Sequence, residues 1–132
     1  MTTKEEVIGF CLTFPDAYED YPFRDDQWAV IRLKDSKKVF AWIFERNGYV
    51  WVNVKADPEW RDFWREAFEA ILPAYHLNKE HWNSLILDGS IPDETIRQLI
   101  GDSYDLVKRQ AEKKRRKPRG TAKEGVSVNT DF

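Results

Sequence analysis

The sequence predicts an α+β fold, a two-layer sandwich with helices packed on one face of an antiparallel sheet. Three observations carry this prediction. Three runs rich in β-branched and aromatic residues follow one another between residues 28 and 54. The links between them are short and carry turn residues, which favours hairpins over the long crossovers of a parallel sheet. Helical patterns flank this block on both sides, giving the order helix, three or four strands, helix, strand, helix.

The first helix opens at Thr3-Lys4-Glu5-Glu6, a capping box in which hydroxyl and carboxylate satisfy orphaned backbone donors. It is expected to run to about Leu12 or Thr13 and to end near Pro15. Residues Phe14 to Phe23 read as irregular or extended. The strand runs are Trp28 to Leu33, Val39 to Phe44 and Tyr49 to Val54. The third alternates most clearly, with Val50, Val52 and Val54 on one face and Tyr49, Trp51 and Asn53 on the other. Asp35-Ser36 and Asn47-Gly48 supply the turns between them.

Asp57-Pro58 opens a second helix, Asp as N-cap and Pro at the first helical position. Its apolar stripe is Trp60, Phe63, Trp64, Ala67, Phe68 and Ile71, and Pro73 ends it. A further strand is expected at Leu85-Ile86-Leu87, introduced by His81-Trp82-Asn83 and closed by Asp88-Gly89. Trp82 begins this apolar run, so its ring is expected in the core. Pro92-Asp93-Glu94 starts a third helix, in which Ile96, Leu99, Ile100, Ser103 and Val107 recur at helical spacing.

The 132 residues support one domain. Six Trp, eight Phe and five Tyr supply an aromatic-rich core. Residues 1–112 carry 14 Lys and Arg against 21 Asp and Glu, whereas residues 113–132 carry 7 against 2. An acidic body, 1–112, is therefore followed by a basic tail, 113–132. The tail lacks apolar periodicity and is expected to be disordered. Cys11 stands alone, which rules out an intramolecular disulfide and a cysteine-based zinc site. Its helical spacing with Ile8 and Leu12 reads as a buried, inert thiol. With no signal-like segment and no long apolar run, a cytoplasmic protein without membrane contact is expected.

Signatures of catalysis are absent. Serines 36, 84, 90 and 103 lack a nucleophile-elbow context, and the scattered glycines form no phosphate-binding or dinucleotide loop. The two histidines, His76 and His81, are spaced i,i+5, which does not place both imidazoles on one helical face. A structural role outweighs metal binding. No catalytic residue, no cofactor and no metal is expected. Two basic features remain. Arg32, Lys34, Lys37 and Lys38 cluster at the tip of the first hairpin. Lys113, Lys114, Arg115, Arg116 and Lys117 open the tail. Such cations can neutralise phosphates in a salt-dependent, largely sequence-blind manner. They can equally protect solvated turns and strand edges.

Five stretches in this order resemble the MmcQ/YjbR family, described as double-wing DNA-binding proteins. They are Phe14-Pro15 with Tyr21-Pro22-Phe23; Val54 to Pro58; Tyr75 to Lys79 through His81-Trp82-Asn83; Leu87 to Ser90 with Ile91 to Glu94; and Ser103 to Val107. The resemblance spans about residues 1–112. It implies a CyaY-like two-layer sandwich with an antiparallel sheet, in agreement with the element order above. It also implies a DNA-binding role and a polar site at His76, Asn78, Lys79, His81 and Asn83.

The leading expectation is a non-enzymatic domain that binds DNA weakly and in a salt-dependent way, through the hairpin, Lys79 and the tail. The alternative is a protein or small-ligand interaction domain that does not bind nucleic acid, with frataxin-like acidic metal binding as a remote variant. A monomer is expected, with an unidentified protein partner under the alternative.

Overall fold

Val50, Val52 and Val54 do share one face of their strand, and the fold is built outward from it. The computed structural model describes residues 1–24 and 27–115. In chain order the elements are α1 (Lys4–Cys11), β1 (Ala17–Asp20), β2 (Ala29–Leu33), β3 (Val39–Arg46), β4 (Tyr49–Lys55), α2 (Pro58–Ala67), β5 (Ile71–Pro73), β6 (Trp82–Ile86) and α3 (Asp93–Arg115). The strands form one six-stranded sheet in the order β1-β2-β3-β4-β6-β5. Every adjacent pair is antiparallel. The predicted α+β class, with helices on one face of an antiparallel sheet, is the observed one.

Local chemistry explains the helix starts. Thr3 Oγ1 accepts from the Glu6 N–H at 3.1 Å, and Glu6 returns the bond to Thr3 N at 3.2 Å. The N–H groups of Thr2 and Thr3 hold the Glu6 carboxyl below its usual range. At α2, Asp57 Oδ1 accepts from Glu59 N at 2.9 Å, with Pro58 at the first helical position.

Between helices and sheet lies a core of Ile31, Ile43, Val52, Leu85, Ile96 and Ile100, all nearly inaccessible. Cys11 belongs to it, and burial pushes its thiol pKa up to about 12. Phe14 stacks on Tyr104 with centroids 4.7 Å apart and meets Phe40 edge-on at 5.9 Å, which ties α3 to the sheet. A β-bulge makes Phe40 an extra residue, because Ile31 pairs with Ala41 whereas Arg32 pairs with Val39. Ser103 of α3 serves this irregularity. Its Oγ donates to the Phe40 carbonyl at 2.7 Å and accepts from Lys55 N at 2.8 Å.

The opposite face of the sheet carries aromatic rings rather than helices. Trp28 stacks on Phe44 at 4.2 Å, and the Arg46 guanidinium lies 4.2 Å from the Tyr75 ring centroid and 5.2 Å from that of Trp51. Beneath Tyr75, buried Asn53 and Ser84 satisfy its backbone. Asn53 Nδ2 donates to Tyr75 O at 2.9 Å, and Tyr75 N donates to Ser84 Oγ at 2.9 Å.

Two strands depart from the sequence expectation. Ala17–Asp20, within the stretch read as irregular or extended, is an edge strand, locked by an Arg32 Nε bond to Asp20 Oδ2 at 2.8 Å. Ile71 belongs to edge strand β5 rather than to α2, because Phe68 turns to extended backbone at φ −136° and ψ 129°. Pro73 is tolerated there because β5 is an edge strand. β6 begins at Trp82, earlier than the run expected at Leu85 to Leu87. Helix α3 continues through Lys113 and Lys114 to Arg115, so the first residues of the basic segment are helical. The rest of that segment, including Arg116 and Lys117, lies outside the described residues. Among the described residues, no helix is long and apolar enough to cross a membrane.

Candidate functional site

Three surfaces hold the residues singled out by sequence. At the first, the β2–β3 hairpin tip, tight backbone closure projects the cations. Lys37 adopts a left-handed φ of 63°, and Lys37 N and Leu33 N bond Leu33 O and Lys38 O at 2.8 and 2.9 Å. Ser36 Oγ accepts from Lys38 N at 3.2 Å. Lys34, Lys37 and Lys38 are exposed. Arg32 is not available in the same way. Besides Asp20 it bonds the Lys37 carbonyl through Nη1 at 2.8 Å, so its fork stabilises the hairpin itself.

The last turns of α3 come down beside this tip. A cleft of about 240 Å³ separates them, lined on one side by Asp35 and Ser36 and on the other by Lys108, Ala111 and Glu112. Lys108 lies over the Tyr104 ring at 5.7 Å, and Lys113 and Lys114 are exposed one turn further on. Two basic features far apart in sequence thus meet at one end of the molecule. The Arg115 side chain is not among those described.

The second surface is the segment from His76 to Asn83. Here much of the polar chemistry faces inward. Arg65 of α2 donates through Nε to Asn83 Oδ1 at 2.7 Å and through Nη2 to the Lys79 carbonyl. Arg61 Nη1 reaches the Glu80 carbonyl at 2.8 Å, and Asn83 Nδ2 donates to Arg61 O at 3.3 Å. Burial in this clasp lowers the Arg65 pKa from its ordinary value, and the neighbouring Arg61 charge adds to the effect. Asn78 Oδ1 accepts from Glu80 N at 2.7 Å, closing the turn.

The two histidines go separate ways. His76, exposed and at φ 67°, lies 4.1 Å from the Tyr75 ring and 6.1 Å from Trp28. His81 is half-buried, and its carbonyl accepts from Ala56 N at 2.8 Å. No group of three or more metal-binding side chains occurs among the described residues. The Lys79 side chain is exposed. Trp82 departs from expectation. Its ring is half-buried on the helix-free face, 5.9 Å from the Lys55 ammonium, and contributes nothing to the core between helices and sheet. Trp82 pairs with Lys55 across β6 and β4, and that register turns it away from Leu85.

The third surface was not anticipated as one. No residue of α2 is buried, and Trp60 and Phe63 are 53% and 50% exposed. They begin a ladder of edge-on and stacked rings, Trp60–Phe63–Trp64–Phe68, with centroids 5.0 to 6.3 Å apart. Between α2 and α3 lies a cleft of about 220 Å³, walled by Val54, Leu85, Leu99 and Leu106 with the two tryptophans Trp60 and Trp64. The periodicity of α2 signals an apolar face. It carries no information on whether anything covers that face.

These features define a class: an α+β domain with an antiparallel sheet, a basic hairpin paired with a basic helix end, and an uncovered aromatic helix. The model of the YjbR family matches residues 12–106, and the chain belongs to that family. It is 31% identical over 102 residues to Escherichia coli K12 YjbR, covering 77% of this chain and 84% of that protein. It is also 31% identical over 119 residues to Bacillus subtilis YyaQ, covering 82% of this chain and all of that one. Both relatives are designated uncharacterized proteins. The crystal structure of Deinococcus radiodurans DR2400, a DUF419 domain, superposes with a TM-score of 0.78 at 28% identity over 99% of this chain and 93% of that one. A Pseudomonas syringae crystal structure gives a TM-score of 0.70 at 28% identity over 79% and 97%.

Proposed function

We propose that this YjbR-family protein is a non-enzymatic DNA-binding domain that grips the phosphate backbone with its basic end. The observation that supports this reading is the meeting of the β2–β3 hairpin with the end of α3. Lys34, Lys37 and Lys38 on the hairpin and Lys108, Lys113 and Lys114 on the last turns of α3 are all exposed, and Lys108 lines the cleft between the two elements. Flexible ammonium groups on a hairpin and a helix end neutralise phosphates without reading base edges. Binding is then weak, tolerant of sequence and steeply dependent on salt.

The test is a titration of duplex DNA with the full chain across a salt series. Changing Lys34, Lys37 and Lys38 together to Ala is expected to flatten the slope of log K against log salt by about 3, close to one per lost phosphate contact. A matching set at Lys108, Lys113 and Lys114 is expected to act alike. Undetectable binding at about 50 mM salt, or slopes unchanged by both sets, rejects the reading.

A second reading, an interaction domain without nucleic-acid binding, is favoured by one observation, the exposed aromatic face of α2. It predicts that both lysine sets are silent and that substitutions at Trp60 and Phe63 remove function.

A further inference from the structure

Helix α2 presents aromatic rings and carboxylates to solvent while its cations turn inward. Trp60 and Phe63 stand half-exposed on its outer side, and exposed Ala67 follows them. Arg61 and Arg65 reach the other way, to the Glu80 and Lys79 carbonyls and to Asn83, and both pair with Asp62. Glu59 and Glu66 are exposed and make no such contact with either arginine. Glu59, Phe63 and Glu66 lie at i, i+4 and i+7, so a carboxylate stands one turn away on either side of the Phe63 ring. Exposed Asp57 and Glu69 extend the acidic edge beyond both ends of the helix.

Beside the ridge, the cleft of about 220 Å³ between α2 and α3 has Leu85, Leu99 and Leu106 in its walls. Its rim carries both signs, because Lys55 and Arg109 stand there with Asp102 and Asp105. The cleft is thus an apolar socket, and the sign of the surface is set by the outer edge of α2. Four occupants could cover such a ridge. A second copy would bring Glu59 and Glu66 against the same carboxylates, and an anionic bilayer meets the same repulsion. The chain's own basic segment, 113–132, has the complementary charge but no apolar periodicity with which to fill the socket. A basic amphipathic helix has both the charge and the apolar anchors.

We propose that the α2 ridge docks an amphipathic helix of a partner protein, apolar on one face and rich in Lys and Arg along one edge. The apolar face lies on Trp60, Phe63 and Ala67, with one anchoring side chain in the cleft. The basic edge runs along Glu59 and Glu66. The ten residues of α2 extend about 15 Å, so about three turns of the partner engage. This names the partner's chemistry for the interaction reading given above, on which it rests. The docking cleft shares no lining residue with the cleft at the lysine end, so either site can fail alone.

The experiment uses the full chain and three synthetic peptides of about five helical turns. One is an amphipathic helix of Leu, Ala and Lys, the second has Glu for every Lys, and the third scrambles the order of the first. Binding is followed through the indole Nε1–H resonances of Trp60 and Trp64. Saturable shifts are expected with the Lys helix, and binding at least about tenfold weaker with the other two. Phe63→Ala is expected to weaken the Lys helix about tenfold. Glu59→Gln combined with Glu66→Gln is expected to shrink its preference over the Glu helix to about threefold or less. The Lys34, Lys37 and Lys38 to Ala set is expected to leave peptide binding unchanged, which separates failure here from failure of the DNA reading. No saturable shift, equal affinity for the Lys and Glu helices, or a preference that survives the double Gln variant overturns the proposal. Three other occupants would overturn it as well: a dimer of the full chain that Phe63→Ala abolishes, equal indole shifts with phosphatidylcholine vesicles holding about a third phosphatidylserine, or indole shifts driven by salt alone, which would place the chain's own basic segment on the ridge.

Discussion

Arg65 Nε lies 2.7 Å from Asn83 Oδ1, a bond between helix α2 and the buried start of strand β6 that spans 18 residues of sequence. The same guanidinium reaches the Lys79 carbonyl, while Asn83 answers with a bond to the Arg61 carbonyl. Since α2 has no fully buried side chain and Trp64 alone of its residues packs, half-buried, against the core, these polar contacts take a large share in holding it to the sheet.

Removing either partner is therefore expected to loosen α2 selectively. Asn83→Ala strands a charged donor and is expected to cost about 2 kcal/mol, and Arg65→Met a similar amount. Denaturant melts measure the total. Hydrogen exchange should localise the loss to α2 and the 76–81 segment, with α3 protection nearly unchanged relative to global stability. Equal loosening of α3 would refute the clasp.

Aromatic truncations should divide by face. Phe40 is inaccessible beneath α3, so Phe40→Ala is expected to cost about 3–5 kcal/mol. Phe63→Ala removes an equally large ring from an exposed ridge and is expected to cost about 1 kcal/mol or less. Comparable losses in melts of the two variants would mean that the α2 ridge is covered in solution.

Cys11 makes stability depend on alkaline pH. Burial raises the folded thiol from an ordinary 9.0 to about 12, so the folded state holds this proton more tightly than the unfolded chain. The contribution is fully present below pH 9 and declines as pH rises from 9 towards 12, by up to about 1.4 kcal/mol per unit. Comparison with Cys11→Ala cancels the other titrating groups. The wild-type protein should lose stability faster than the variant across that window. Parallel curves would place the thiol in contact with solvent. A thiol reagent at neutral pH should label Cys11 only on unfolding.

The sequence was most legible where local chemistry decides structure. The Thr3 capping box, the Asp57-Pro58 start of α2 and the alternation of β4 depend on near neighbours, and each was readable. β1 and β5 were not recognised as strands, because Ala17-Tyr18-Glu19-Asp20 and Ile71-Leu72-Pro73 are strands only through their partners. Site roles were harder for the same reason. Asn83 looks like a site residue until Arg65 is placed beside it, and Arg32 looks like a free cation until Asp20 is. The meeting of the hairpin with the end of α3 depends on tertiary packing, which no local pattern encodes.

The extra residue at Phe40 is absorbed where it stands. Phe40 and Ala41 both point into the core in succession, so the pairs on either side of the bulge, Ile31 with Ala41 and Arg32 with Val39, keep matching faces. Deleting Phe40 would leave those pairs and the hairpin tip in place. It would remove the ring that packs on Phe14 and Tyr104 and the carbonyl that Ser103 bonds. The bulge thus gives β3 one more core side chain and α3 an anchor on the sheet, while the lysines at the hairpin tip are left where a regular ladder would put them.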